Sequence, residues 1–465
     1  MIKKLKIENF KCWKNTGEIE LAPLTVFLGG NSSGKSSIGQ FLMMLKQSAA
    51  SADRKSVFFS GDDKSAVNVG LPRQYVFNGK VEDGIKFSYS WDVNTRVINA
   101  LTMKDNKSKS ITFESEVKAS TGEQNLEVNR IKYSIADDHD VIYEFGIKKK
   151  ETNSKEANSK GRNYEFSDNG IYGLVRSRGR VWALPAPIKF YGFPDECNAY
   201  YQNADILQEL NLQQDKLFDG VFYLGPLRKK AARWYAWDGS RPASVGYDGA
   251  QAINAYLAAS GDEKNLYNFA SKANKHKFTW VIAEMLKKMG LVYDFKTNLV
   301  AENRQEYEVK VQVNKESELV DILDVGTGIS QVLPVVIQLF YAPANSTIIM
   351  EQPELHLHPS AQAGLADVMI DAIHARCNAN PLNTQLIIES HSEHFLRRIQ
   401  RRIAEGKLDA SECRCYFVNH NGQSSSLELL DIDLFGYIRN WPQDFFGDLD
   451  GDIIAQVEAG FAKSR

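Results

Sequence analysis

The first residues alternate between polar and apolar. Lys4-Leu5-Lys6-Ile7-Glu8-Asn9-Phe10 does so and Glu18-Ile19-Glu20-Leu21 repeats it, which predicts an antiparallel pair of half-buried strands. Leu24-Thr25-Val26-Phe27-Leu28 is continuously apolar and reads as a buried strand. Ile38, Phe41, Leu42 and Leu45 then fall on one face at helical spacing, and that helix is expected to run to about Gln47. Ser51 to Asp63 is polar and reads as loop. From about Lys80 to Phe190 the period is two, in Ile85–Trp91, Ile111–Phe113, Ile131–Ile135 and Val141–Phe145. Lys148 to Arg162 is rich in Lys, Ser and Asn without periodicity, and reads as a mobile loop between strands. Tyr200 to Leu217 returns to helical spacing, and Val221-Phe222-Tyr223-Leu224 is a short buried strand. Gln251 to Met289 is helical on both sides of a break at Gly261. Asn298 to Asp321 reads as a hairpin. The last third alternates apolar strands with helices, the α/β pattern. Expected divisions are residues 1–79, a β-rich insertion 80–220, a helical segment with hairpin 221–320, and 321–465.

Between the buried strand and the first helix lies Gly29-Gly30-Asn31-Ser32-Ser33-Gly34-Lys35-Ser36, which meets every fixed position of G-x-x-x-x-G-K-[ST]. Strand, glycine-rich turn and helix aim successive N–H groups and the positive end of a helix at a phosphate chain. Lys35 then reaches the β- and γ-phosphates, and the Ser36 hydroxyl sits on Mg²⁺. Candidate binding residues for ATP are Gly29, Asn31, Ser32, Ser33, Gly34, Lys35, Ser36 and Ser37. Thr347-Ile348-Ile349-Met350-Glu351 is a second buried strand that ends on a carboxylate, as a Walker B strand does. Glu351 is the expected metal-side residue, acting through water. Upstream, Asp324-Val325-Gly326-Thr327-Gly328-Ile329-Ser330-Gln331 is a glycine turn opening a helix, with Ser330 as its expected N-cap and Pro334 in its first turn. Leu386-Ile387-Ile388-Glu389-Ser390-His391 is a further apolar strand running up to a histidine.

Composition narrows the classes. The 465 residues are 43% hydrophobic and 25% charged with formal net charge −2, so the chain as a whole is no polyanion binder. A nucleic-acid face would have to be local. Arg228, Lys229, Lys230 and Arg233, interleaved with Trp234, Tyr235 and Trp237, form one candidate, and Arg397, Arg398, Arg401 and Arg402 on one side of a helix form a second. Five scattered cysteines have neither a zinc spacing nor a disulfide framework, which favours a reducing cytoplasm; Cys413 and Cys415 should face the same way from one strand. The longest apolar stretch, Val332 to Ala342, contains Pro334 and Gln338 and is too short to span a bilayer. Asp448-Leu449-Asp450-Gly451-Asp452 has Ile453 where a calcium loop needs glycine, and reads as an acidic turn.

The order of these motifs resembles the ABC-type ATPase head, and within that group the OLD-like ATPases of prokaryotes. The phrases that carry the resemblance are Ile7-Glu8-Asn9-Phe10-Lys11, Leu224-Gly225-Pro226-Leu227-Arg228, Val325 to Pro334, Glu351-Gln352-Pro353-Glu354-Leu355-His356-Leu357-His358-Pro359 and Glu389-Ser390-His391-Ser392-Glu393-His394. Trp441 to Phe446 resembles the uncharacterised C-terminal segment of one subfamily. The resemblance implies an α/β, ABC-type P-loop NTPase head with an antiparallel β lobe and β-rich and helical insertions. It implies ATP and Mg²⁺ as cofactors, and a homodimer with composite sites in which Gly326, Gly328 and Ser330 of one subunit meet the γ-phosphate held by the other. It places Gln74 at the Q-loop near the metal by position alone, and His391 at the switch position.

One departure bears on rate. Most such heads end the Walker B strand Asp-Glu, and the Glu activates water. Here the pair is Glu351-Gln352, so Glu351, Gln352, Glu354 and His391 are the candidate catalytic set and hydrolysis is expected to be slow. Proteins of this resemblance are often ATPase subunits of two-component antiphage systems (Septu-like, retron-associated or PARIS-like) acting with a separately encoded nuclease or toxin. A DNA-clamping repair ATPase of the SMC type is the alternative, with DNA as partner. A transporter's ATP-binding subunit is a third reading, disfavoured by the large β insertion; no membrane partner is expected.

Overall fold

The most apolar runs of the chain become the inner strands of one sheet. The computed structural model describes residues 1–93, 109–120, 126–137, 140–150, 163–179, 183–269, 274–302, 304–442 and 449–463. From the N-terminus, β1 (Ile2–Phe10), β2 (Trp13–Asn15) and β3 (Ile19–Glu20) lead to β4 (Leu24–Gly29) and helix α1 (Lys35–Ala50). After α2 (Pro72–Tyr75) come β5 (Ile85–Val93), β6 (Lys109–Ala119), β7 (Leu126–Asp137), β8 (Asp140–Lys149) and β9 (Tyr164–Asp168). Helices α3 (Glu196–Tyr200) and α4 (Asp205–Asp219) precede β10 (Val221–Leu224) and β11 (Tyr235–Ala236). Next are α5 (Ala252–Ser260), β12 (Tyr267–Asn268), α6 (Phe278–Lys288), β13 (Asp294–Leu299), β14 (Glu306–Gln312) and β15 (Val320–Asp321). The last third holds α7 (Thr327–Tyr341), β16 (Thr347–Glu351), α8 (Pro359–His374), β17 (Arg376–Cys377), β18 (Asn380–Pro381), β19 (Gln385–Glu389), α9 (Glu393–Ala404), β20 (Cys413–His420), β21 (Ser425–Leu429) and α10 (Leu449–Lys463).

The central sheet has the order β10-β16-β19-β4-β20-β21, with every pairing parallel except β20–β21. All residues of β4, β16 and β19 are buried, because helices or a second sheet cover both faces. Alternation sorts their side chains. Val26, Leu28, Ile348, Met350, Leu386 and Ile388 face a core built with α5 to α9, whereas Phe27, Ile349 and Ile387 face a core built with α1 and the antiparallel lobe.

That lobe is an eight-stranded sheet ordered β2-β1-β5-β6-β7-β8-β9, with β3 also paired to β1. It runs across the expected division at residues 79 and 80, since β1 pairs with β5. Aromatic side chains hold it over the P-loop helix: Phe41 of α1 lies 5.0 Å from Phe10 and 5.2 Å from Phe87, both edge-on.

The alternating segments named from sequence lie in strands, save that of Glu18–Leu21 only Ile19 and Glu20 do so. The stretch Gln251–Met289 is two helices with β12 between them, and Asn298–Asp321 falls largely in the β13–β14–β15 meander. Most of the Lys148–Arg162 loop, part of Trp441–Phe446 and Asp448 lie outside the described residues. Asp450–Asp452 belong to the first turn of α10, which corrects the acidic-turn reading. Cys413 and Cys415 do face the same way, with their sulfurs 3.7 Å apart. No helix among the described residues is long and apolar enough to cross a membrane.

Two of the four arginines of α9 are spent within the fold. Its apolar face, Phe395, Leu396, Ile399 and Ile403, is buried. Arg398 and Arg402 reach across to the buried Asp367 of α8, Arg402 through two nitrogens, while Arg401 pairs with Glu405 and Arg397 with Glu393. Burial pushes the Asp367 carboxyl up, but the bonds to Arg402 and Arg398 outweigh it and hold its pKa below the ordinary value. A depressed carboxylate stabilises the fold above the unfolded pKa, near 3.9, and loses that contribution as pH falls through the folded value. Asp367→Asn should therefore cost about 2–3 kcal/mol near neutral pH in urea denaturation. This is under the roughly 3–5 kcal/mol of a fully buried pair because the guanidinium groups keep partial contact with water. The gap between variant and wild type should narrow below about pH 4.

Candidate functional site

The site forms where parallel strands end and a helix begins, the usual ligand crevice of an open α/β sheet. β4 delivers Gly29, and the loop that follows turns back at Ser32, whose φ is 59°. Gly34 has φ 106°, and a Cβ there would lie 2.4 Å from Cys12 Sγ and 2.8 Å from Ser425 Oγ, so the position admits glycine alone. Ser425 Oγ also donates to the Ser33 carbonyl at 2.6 Å, which fastens β21 to the loop. Ser37 Oγ donates to the Gly34 carbonyl at 2.6 Å and closes the first turn of α1. Asn31 and Ser32 are exposed at the loop crest, and Ser33 is buried beneath it.

Lys35 is folded over its own loop. Its Nζ donates to Gly30 O at 2.6 Å, Gly29 O at 3.1 Å and Ser33 Oγ at 3.4 Å, and lies 4.0 Å from Glu389 Oε1. Burial lowers its pKa and Glu389 opposes that fall. The Ser36 hydroxyl lies near enough to the Glu389 carboxylate to favour its charged form.

Glu351 and Glu389 end adjacent strands in register, so two carboxylates lie side by side. Burial, then the charge of Glu389, raises Glu351 to about 7, although Tyr223 donates to its Oε1 at 2.9 Å. Burial also raises Glu389, against the opposing effects of Ser36 and Lys35. Glu354 is buried one turn beyond. Its Oε1 accepts from Ser390 Oγ at 2.9 Å and from the His391 N–H at 2.7 Å, and burial raises its pKa. His391 is half-buried, and burial with the charge of Lys35 lowers its pKa, which favours the neutral ring. Gln352 has φ 44°, a left-handed conformation for a non-glycine residue.

Among the described residues, Glu389 Oε2 and Glu354 Oε2 are buried without a hydrogen-bond partner, and no cluster of three or more His, Cys, Asp or Glu is arranged to hold a metal. Both observations fit Mg²⁺ held with a nucleotide. That ion takes one or two carboxylates and completes its shell with phosphate and water rather than with a protein cage. Ser36, Glu389 and Glu351 supply hard oxygen donors of the right kind.

The remaining candidates lie elsewhere. Helix α7 begins at Thr327 with Gly326 as N-cap. This corrects the Ser330 cap, because the Ser330 hydroxyl instead bonds Thr327 O at 2.9 Å, and it moves Pro334 into the helix interior. No hydrogen bond or ion pair among the described residues joins Gly326, Gly328 or Ser330 to the P-loop of the same chain. Gln74 is exposed, and its Oε1 accepts from the Leu71 N–H at 2.7 Å, so its amide caps its own turn. Arg228, expected on a basic surface, is buried under the site, and Arg233 pairs with Asp324. Lys229, Lys230 and Trp234 are exposed and line a cavity of about 220 Å³ beside Ser330.

Glu389 and Tyr223 were not among the residues singled out from sequence. The signal for Glu389 was present, since Leu386–Glu389 ends on an acid just as Thr347–Glu351 does. The signal for Tyr223 was not, because its role depends on β10 lying beside β16.

Comparison with known proteins finds a match to the family model described as AAA ATPase domain over residues 1–173 and 253–396, and to one described as protein of unknown function (DUF3696) over residues 408–456. No curated protein matches. Similar solved structures include an SMC head bound to the C-winged helix domain of ScpA, 12% identical, covering 93% of this chain and 98% of that one, with TM-score 0.42. Another is the SMC head domain from Thermotoga maritima, 10% identical, covering 93% and 99%, with TM-score 0.39. A third is an SMC head domain with an extended coiled coil bound to the C-terminal domain of ScpA derived from Pyrococcus furiosus, 10% identical, covering 98% and 99%, with TM-score 0.40.

Glu389→Gln tests the carboxylate pair. The charge of Glu389 is disfavoured where it sits, so the variant should melt no lower than wild type. It should nevertheless lose about 10–100-fold in Mg²⁺-dependent nucleotide affinity or turnover, read by titration and steady-state hydrolysis. Unchanged nucleotide handling would remove Glu389 from the site.

Proposed function

Because the chain belongs to the AAA ATPase domain family, we propose that it is an ATP-driven switch that binds Mg²⁺·ATP at the P-loop, pairs with a second copy and hydrolyses slowly. The observation that carries this reading is Lys35, buried over the Gly29 and Gly30 carbonyls with Ser36, Glu389 and Glu351 beside it. In this reading Lys35 moves from its own loop to the phosphates, and the P-loop N–H groups and the N-terminus of α1 hold them. Bound Mg²⁺ would supply charge neutralisation of the β- and γ-phosphate oxygens. Gly326, Gly328 and Ser330 serve the partner's nucleotide; the support is that the first turn of α7 is partly open to solvent, has no side-chain cap and, among the described residues, makes no bond to its own P-loop.

Slow turnover follows from the residues that come after the strand ending at Glu351. A Gln352 amide can orient water but has no basic site for its proton. Glu354, the nearest substitute, has one oxygen fixed by Ser390 and His391. Wild type should form a dimer on adding Mg²⁺·ATP and turn over below about 1 s⁻¹, with Lys35→Ala inactive. Gln352→Glu should raise the rate at least tenfold. Wild-type turnover within the usual range of about 1–10³ s⁻¹ would refute the Gln352 argument.

The finer role is an OLD-like sensor or scaffold of a cytoplasmic antiphage system that restrains or releases a separately encoded nuclease or toxin. Its support is an apolar surface near the C-terminus. Leu434, Phe435 and Tyr437 are each at least 70% exposed, and Ile453, Ile454 and Val457 lie exposed along one face of α10. The full chain drawn from its native host should bring down one protein partner, and a version ending at residue 448 should lose it. Recovery of no stable partner would count against this role. The alternative, a DNA clamp, keeps the support of Lys229, Lys230 and Trp234 beside Ser330. It alone requires ATP-dependent DNA binding that weakens steeply with salt.

A further inference from the structure

Arg228 stands between two parts of the molecule that the proposed function assigns to different nucleotides. The turn Gly225-Pro226-Leu227 carries the chain from β10 under the first turns of α7 and buries the guanidinium. Nη1 donates to the Gln331 carbonyl in α7 at 3.4 Å. Nη2 donates to the carbonyls of Glu351 and Gln352, each at 3.2 Å, and Nε is buried without a partner among the described residues. Burial lowers its pKa to about 10, which still leaves it charged near neutral pH. A second contact reinforces the connection. A Cβ on Gly328 would lie 3.0 Å from His356 O, so the first turn of α7 rests directly on the loop that follows Gln352. A cleft of about 410 Å³ lined by Leu227, Arg228, Ser330 and His356 opens beside this junction.

A buried cation spent on three backbone carbonyls fixes backbone position and leaves chemistry to others. We propose that Arg228 is a positioning residue that ties the first turns of α7 to the end of β16, so that docking of the glycine turn on the partner's nucleotide sets the backbone of Glu351 and Gln352 in its own subunit. This rests on the dimer reading above and adds to it: the two composite sites are coupled through each subunit's interior. Lysine at this position keeps the charge but presents a single ammonium, which cannot span both elements.

The test uses the full-length protein with Mg²⁺ and ATP or a non-hydrolysable analogue. Arg228→Lys and Arg228→Gln should bind the analogue within about threefold of wild type. Their kcat should fall at least tenfold with KM little changed, and the dependence of rate on ATP should lose its cooperativity. Hydrogen exchange on wild type gives a measurement that needs no variant: amides from Gln352 to Leu357 should gain protection when the ATP-bound protein dimerises, and not in ATP-bound monomer at high dilution. Equal protection in monomer and dimer, or an Arg228→Lys protein with wild-type kcat and cooperativity, would overturn the inference alone. Failure of wild type to bind nucleotide or to dimerise would overturn the proposed function and this inference together.

Discussion

The structure depends on a crowd of charge at the ends of parallel strands. Lys35, Glu351, Glu354 and Glu389 are all largely withdrawn from water, and each is shifted toward its neutral form. Burying like carboxylates together costs free energy unless something answers them. Within the chain the answer is partial: Lys35 stands 4.0 Å from Glu389, Tyr223 donates to Glu351, and one oxygen each of Glu389 and Glu354 has no partner among the described residues. Such a site selects a ligand that carries both signs, a divalent cation for the acids and an anion for the lysine and the loop N–H groups.

The fold supplies this crowd by register. Glu351 pairs with Glu389 and Glu389 with Phe27, so the acids arrive level with one another, Glu389 on the strand next to β4 and Glu351 on the strand beyond it. The β20–β21 hairpin holds the loop from the other side through Ser425. Helices on one face and the aromatic lobe on the other keep the strand ends dry. The lobe's weight falls on α1 through Phe41, so the helix that begins at Lys35 is clamped along its length and not only at its start.

How much of this could be read from the chain follows from whether the signal is local. The P-loop, the strand ending at Glu351 and the alternation in β5 to β8 depend on near neighbours in sequence, and each forms as expected. Three arginines of the basic clusters are spent inside the fold, because a charge pattern gives no partner. Arg398 and Arg402 look like a surface face until Asp367, some thirty residues earlier, is placed against them by the packing of α8 on α9. Arg228 looks like the first residue of a basic patch until β10 is set beside β16, which puts it under the turn that follows Glu351. The N-cap of α7 was misplaced for a related reason. Ser330 has cap chemistry, but Gly326 has the extended backbone, and the Ser330 hydroxyl is spent inside the helix on Thr327.

Gln352 follows the strand that ends at Glu351, and its backbone is held in a left-handed conformation. Its φ of 44° is held from both sides, the N–H donating to Glu389 O at 2.9 Å and the carbonyl accepting from Arg228 at 3.2 Å. Neither bond involves its side chain. The frame that positions residue 352 is therefore built from backbone groups and does not depend on which side chain the residue carries. A strained conformation anchored in this way lets chemistry at one position vary while the geometry around it stays fixed.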